Sequence, residues 1–331
     1  MSMTILPLDG LAQVCELQAE TVIPLAVMPG DLDASHYICP STRQVGVIDK
    51  KRKRAGLFSL ETAEPWFRKV LPFGNLPKGC IGHTALPFAG GLLVGGHSDS
   101  GEALWWRHPT QSPDVWHPLE LPAEIRRPGK AIDGLHRLGA WVVAVDNIVV
   151  PKWLILYTVT EDPGLTLDRL VRLPHHTTYE HIFSTCLGRS RLWCASRGVN
   201  HGRVSSHVWG LELETFREVA CLSVSPSRKT PFPTVDDVDE RHPLETLREV
   251  VEWEDGLLLP CGPRGLFRAT VQRMGESVDS AGFREIAGVD LVDVRAVRLH
   301  PDDPALGVFA LGFQADGRAS HQWVPADRLR A

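Results

Sequence analysis

Nothing in the chain approaches the roughly 20 consecutive apolar residues of a membrane-spanning helix. Positive charge is not in excess either, since 35 Lys and Arg stand against 40 Asp and Glu, a formal net charge of −5. That balance gives no general pull toward nucleic acid or an anionic membrane surface. The seven cysteines (Cys15, Cys39, Cys80, Cys186, Cys194, Cys221 and Cys261) are odd in number and contain no C-x-x-C pair. A disulfide framework or zinc knuckle is therefore not expected, and free thiols in a reducing, cytoplasmic compartment are. The opening MSMTILPLDGLAQVCEL has no basic stretch, and Pro7, Asp9 and Gly10 break its apolar run, so no secretion signal is expected. There is no G-x-x-x-x-G-K-[ST], no H-E-x-x-H and no G-x-S-x-G. Phosphate-loop nucleotide hydrolysis, zincin chemistry and the nucleophile-elbow hydrolases are set aside with them.

What the chain does have is a recurring hairpin. The instances are KKRKRAGLFSL, LLVGGHSDSGEALWW, WVVAVDNIVVPKWLILY, LWCASRGVNHGRVSSHVWGLEL, LLLPCGPRGLFRATV and VFALGFQADGRASHQWV. Their aromatic markers Phe58, Trp105, Trp153, Trp209, Phe267 and Trp323 are 47, 48, 56, 58 and 56 residues apart. Upstream of five of these hairpins lies an apolar segment: CIGHTALPF, AIDGLHRLG, YEHIFSTCL, LREVVEWED and VRAVRLH. Downstream of the first five comes another: WFRKVLPFG, VWHPLELPA, LDRLVRLPH, FREVACLSV and FREIAGV. Four short strands per unit at this spacing match a four-stranded propeller blade. The sequence thus predicts an all-β fold, a six-bladed β-propeller in one domain over residues 1–331, with seven blades as the alternative. The last unit lacks an outer strand, so TILPLDGLAQVCEL is expected to supply it and close the ring by pairing N- and C-terminal strands.

The clearest departure is residues 223–246, read as an inserted loop and helix. SPSRKTPFPT is a polar, proline-rich run, and VDDVDERHPLETLREVVEW places Leu244, Leu247 and Val251 at helical spacing behind acidic residues.

Several side chains invite chemistry. The stretch NHGRVSSHVWGLEL carries His201 and His207, but the matching segments elsewhere are turns, so a bend is the expected role. Aligning the starts of the innermost strands brings His83, Asp133, Glu180, His181, Arg248, Glu249 and Arg295 to one level. Such a ring could bind a small polar ligand at Asp133, His181, Arg248, Glu249 and Arg295. It could also hold a metal through His83, Asp133, Glu180 and His181, with His83 or Glu180 moving a proton. Asp146 and Asn147, at a strand end, are further candidate oxygen ligands for calcium. The basic run Lys50, Lys51, Arg52, Lys53 and Arg54 is the candidate partner contact.

The six hairpins and their flanking strands resemble the β-propeller superfamily over most of the chain. Gly82-His83 and Gly96-His97 are isolated and no Trp-Asp dipeptide occurs, so the likeness is not to WD repeats. Asp99-Ser100-Gly101 with Trp105 looks like a degenerate sialidase-type Asp box. The divergence from these sets also resembles the propeller components of bacterial multi-protein conflict systems, which pair with ATPases and von Willebrand-type domains. These readings imply a non-enzymatic scaffold whose blade loops engage another protein, with no cofactor, no nucleic acid and no membrane. The alternative is a metal-dependent hydrolase or lyase with calcium or zinc in the central channel.

Overall fold

The computed structural model describes residues 32–34, 44–49, 53–60, 67–126, 130–138, 140–146, 151–159, 164–175, 180–200, 203–224, 243–270, 283–299, 303–317 and 319–331. The chain divides into two compact units, Met1–Leu173 and Pro174–Ala331. Among the described residues, no helix is long and apolar enough to cross a membrane.

The first unit holds three antiparallel sheets of four strands in sequence order. They are β1 (Leu32–Ala34), β2 (Gln44–Asp49), β3 (Arg54–Leu60) and β4 (Phe67–Asn75); then β5 (Cys80–Phe88), β6 (Gly91–Ser98), β7 (Leu104–Arg107) and β8 (His117–Pro118). The third is β9 (Ile132–Leu138), β10 (Trp141–Asp146), β11 (Trp153–Val159) and β12 (Leu165–Arg172). Their second strands are buried on both faces while the outermost β12 is largely exposed, as expected of sheets stacked face to face. Ile48, Ala55 and Leu57 of the first sheet pack on Ala85, Leu92 and Trp105 of the second. Leu86, Leu93 and Leu104 of the second pack on Ile132, Leu135, Val142 and Ala144 of the third. Two glycines mark the closest approaches. A Cβ on Gly46 would stand 2.7 Å from the Cβ of Ala85, and one on Gly95 would stand 2.7 Å from Ile132 Cγ2.

The second unit repeats the plan. Its sheets are β13 (His181–Leu187), β14 (Arg191–Asn200), β15 (Arg203–Glu212) and β16 (Glu218–Val224); β17 (Val251–Trp253), β18 (Gly256–Pro260), β19 (Leu266–Thr270) and β20 (Phe283–Glu285); and β21 (Asp293–Leu299), β22 (Gly307–Phe313) and β23 (Ala319–Pro325). The last shows three strands among the described residues. A short helix, α1 (Ala326–Arg330), follows it and buries Ala326 and Leu329. Arg268 and Arg284 donate to the Leu329 carbonyl at 3.2 and 2.6 Å, and Arg330 pairs with Glu254. These arginines satisfy or neutralise a helix end that cannot bond within itself.

Every hairpin read from the sequence is a β-hairpin, and each flanking segment is the inner or outer strand expected of it. Two expectations need correction. Residues 243–253 are not an α-helix: Pro243–Thr246 form one 3-10 turn and Val251–Trp253 are extended. Leu244, Leu247 and Val250 are all buried in one core with Trp193 and Val208. That i, i+3, i+6 spacing fits a 3-10 turn running into a strand, and the β-branched Val250-Val251 favour the strand. The second correction is the bend at NHGRVSSH. β14 and β15 stay paired as far as Asn200 opposite Arg203, so Arg203–His207 belong to β15, with His207 opposite Ser196, while His201 lies outside the described residues.

Several expectations fall outside the described residues: the closing strand within 4–17, Lys50, Lys51, Arg52, Asn147 and the 225–242 part of the insertion. Its ends, Ser223-Val224 and 243–246, belong to β16 and the buried turn. Cys80, Cys194 and Cys261 are buried free thiols and Cys186 is half-buried. Burial pushes the Cys80 thiol up to about 11 and the Cys186 thiol up to about 12.

Candidate functional site

The first strands of four sheets share a defect. β5 pairs with β6 in register except that His83 is skipped between Gly82 and Thr84. β9 skips Asp133, β13 skips Phe183 and β21 skips Arg295 in the same way. A bulge re-aims the extra side chain, and repetition at one level of four strands makes this a built feature. His83, Asp133 and Arg295 were placed at that level by sequence alignment. On β13 the bulge residue is Phe183, two positions past His181 and three past Glu180. In the fifth sheet the residues at this level are Arg248 and Glu249, just ahead of β17; the Arg248 amide donates to the Pro260 carbonyl at 2.8 Å.

In the first unit, His83 Nδ1 pairs with the Asp133 carboxylate, and His83 Nε2 lies 2.8 Å from His97 Nδ1. His97 is on β6, in register with Ile81. The result is a carboxylate–imidazole–imidazole chain. With Asp133 ionised it fixes His83 Nδ1 as donor, so His83 Nε2 accepts from His97 and the His97 Nε2 is left with a lone pair. Burial, then His83, holds His97 below the ordinary imidazole value against the pull of Asp133 and Asp99. Both His83 nitrogens are therefore engaged by side chains. Among the described residues, no group of three or more His, Cys, Asp or Glu is arranged to hold a metal.

Other candidates are committed to internal bonds. Asp146 is buried and its Oδ2 lies 2.7 Å from Lys130 Nζ, which also donates to the Pro151 carbonyl at 2.8 Å. An ammonium thus stands where a calcium ion was considered. Glu180, buried, accepts from the Ser196 hydroxyl and lies 3.5 Å from His175 Nδ1. Glu249, also buried, accepts from the Val297 amide at 2.8 Å and from Arg298 Nη1 at 2.9 Å, tying the approach to β17 onto β21. His181 is exposed. Of the basic run, Arg54 turns inward, with Nε 3.0 Å from Asp49 Oδ2 and its guanidinium 4.8 Å from the Phe73 ring centre. Lys53 stays exposed in a left-handed turn at φ 52°.

The second unit gathers guanidinium groups beside the bulges of its own sheets. Arg197, on β14 opposite His181, donates from Nη2 to the Leu247 carbonyl at 3.1 Å and stacks 5.2 Å from the Phe183 ring centre. Arg295 binds Asp293 through Nε at 2.8 Å and stacks 5.6 Å from the Phe313 ring centre. Sequence reasoning missed both His97 and Arg197, which hold equivalent places on the second strands of their sheets. The signal was available: each lies opposite the residue two positions ahead of a bulge, and only inner strands had been aligned.

No family model matches the chain, and no curated protein does. Solved structures do. The chain is similar to BamB from Moraxella catarrhalis at 12% identity and a TM-score of 0.43, covering 90% of this chain and 71% of that one. It is similar to BBS1N, solved in complex with ARL6DN, at 7% identity and a TM-score of 0.43, covering 92% and 84%. The Myxococcus xanthus glutaminyl cyclase gives 10% identity and a TM-score of 0.35, covering 74% and 92%. At these identities and scores they establish no activity for this chain. Successive antiparallel meanders, stacked sheet on sheet, are the unit of the β-propeller superfamily that the hairpin repeat resembles.

Proposed function

We propose that this chain is a non-enzymatic scaffold that binds another protein through its blade loops, in a cytoplasmic setting. The six sheets are, on this reading, blades of one closed propeller, with residues 4–17 as the outer strand of the last. The observation that carries the scaffold reading is the commitment of the buried ionisable groups. Asp146 with Lys130, Glu249 with Arg298 and Glu180 with Ser196 are bonded within the fold. A catalyst needs its acid or base free to exchange protons with a substrate. The ATPase or von Willebrand-type partner implied by the resemblance to conflict-system propellers is the first to test.

The experiment is co-purification from the host with mass spectrometry. The variants are a deletion of 225–242, sparing β16 and the buried turn, and a change of Lys50, Lys51, Arg52 and Lys53 to Glu that leaves Arg54 on Asp49. A stoichiometric protein partner should be retained by the wild type and lost by at least one variant with unchanged thermal unfolding. Purification with no stoichiometric partner overturns the reading.

The contact between His83 and Asp133 favours a second reading, a hydrolase or lyase with calcium or zinc. There the His97 Nε2 and the second Asp133 oxygen, buried without a hydrogen-bond partner, would be the nearest ligand atoms. Metal analysis of gently purified protein separates the two readings.

A further inference from the structure

We propose that Arg197, Arg248 and Arg295 form a receptor for a small oxyanion, a carboxylate or a phosphate, within the unit 174–331. This goes beyond the scaffold reading and does not depend on it.

The three arginines come from β14, the approach to β17 and β21, and short links join them. Arg197 is hydrogen-bonded to the carbonyl of Leu247, the residue before Arg248. Arg248 and Asp293, the partner of Arg295, both reach Gly262. A Cβ built there would be 3.1 Å from Arg248 Nε and 3.3 Å from Asp293 Oδ1. Gly262 itself is locked to Val294 by paired backbone hydrogen bonds of 3.0 and 2.8 Å and has φ +57°, so the backbone between Arg248 and Arg295 is fixed and its lack of a side chain lets Arg248 and Asp293 approach.

Charge here is not balanced. Asp293 answers Arg295 and also acts on Arg248. The Arg248 guanidinium makes no hydrogen bond or ion pair among the described residues, and Arg197 Nε is buried without a partner. Glu245 is the other carboxylate that acts on Arg197. Partial desolvation comes first for both; then Arg248 lowers the proton affinity of Arg197 and Arg295 that of Arg248, while Glu245 and Asp293 pull the other way. Like charges held together this way are relieved by an anion, and a guanidinium offers paired N–H groups that match two oxygens of a carboxylate or phosphate. Phe183 and Phe313 pack against the Arg197 and Arg295 guanidinium groups and help hold them in place, while the guanidinium donors of Arg248 are uncommitted among the described residues. Arg248 is exposed and the Arg295 side chain is 40% exposed, so a ligand has access.

The test titrates full-length protein with sodium phosphate and, separately, sodium succinate, against sodium chloride of equal ionic strength, by calorimetry and Tm. Saturable binding and a raised Tm with either anion support the receptor, and the arm that responds names the source. Arg248→Gln should fold with the wild-type Tm in chloride and bind the anion at least about tenfold more weakly. Arg197→Lys, which keeps the charge and loses the planar fork, should weaken binding less. No saturable effect of either anion beyond chloride overturns the proposal, as does wild-type affinity in Arg248→Gln.

Discussion

A single imidazole shows how position sets chemistry here. His97 lies 2.8 Å from His83, which is itself bound to Asp133, and burial lowers its proton affinity in the folded state. The unfolded chain then binds a proton near the ordinary value of about 6.5, while the folded chain resists it until lower pH. Stability is accordingly complete above that ordinary value and falls as pH drops through the folded one. One such proton gives a slope of at most about 1.4 kcal/mol per pH unit. His321 is lowered by burial too and adds a contribution of the same sign, so the comparison must isolate His97. In urea unfolding at pH 7, 6 and 5, the wild type should lose stability more steeply than His97→Gln. Equal slopes would show that the His83–His97 contact does not hold the neutral form.

At the scale of elements, the 3-10 turn within 223–246 is packed into the core. Leu244 is fully buried among Trp193, Val208 and Leu259. Its truncation to Ala should cost about 2–5 kcal/mol by chemical denaturation; a cost under about 1 kcal/mol would mean the turn is not core. The hairpins were legible in the sequence because period-two burial and turn residues repeat six times. The turn was not, because an i, i+3 pattern over one turn reads the same in a 3-10 turn and an α-helix. Register was only partly legible. Trp153 stands opposite Asp146 beside its turn, whereas Trp323 stands opposite Phe309, well away from the 314–318 turn. The aromatic markers therefore identify the third strand but not one position on it. His83, Asp133 and Arg295 are reached by aligning the starts of the first strands, where the bulges fall. His97 and Arg197 enter only through pairing across strands, which a one-dimensional alignment of inner strands omits.

For the whole molecule, the edge of β23 away from β22 is where closure is tested. Five sheets have four strands and the last has three among the described residues, with the 37% exposed Trp323 on its edge strand. An unpaired sheet edge is a template for pairing with another chain, and propellers avoid one by closure. If residues 4–17 supply the missing strand, the alternate β23 amides that face away from β22 are hydrogen-bonded in the full-length protein. They should exchange slowly with deuterium, at rates comparable to the amides of β22. In a chain starting at residue 18 the same amides should exchange at least about tenfold faster while β22 stays protected, since each lost bond removes roughly 1 kcal/mol or more of local protection. Concentration-dependent association of the shortened chain should accompany the change, because an uncovered edge seeks a strand. Fast exchange along that edge in the full-length protein would rule out closure by the N-terminal segment and leave the edge as a surface for a partner's strand.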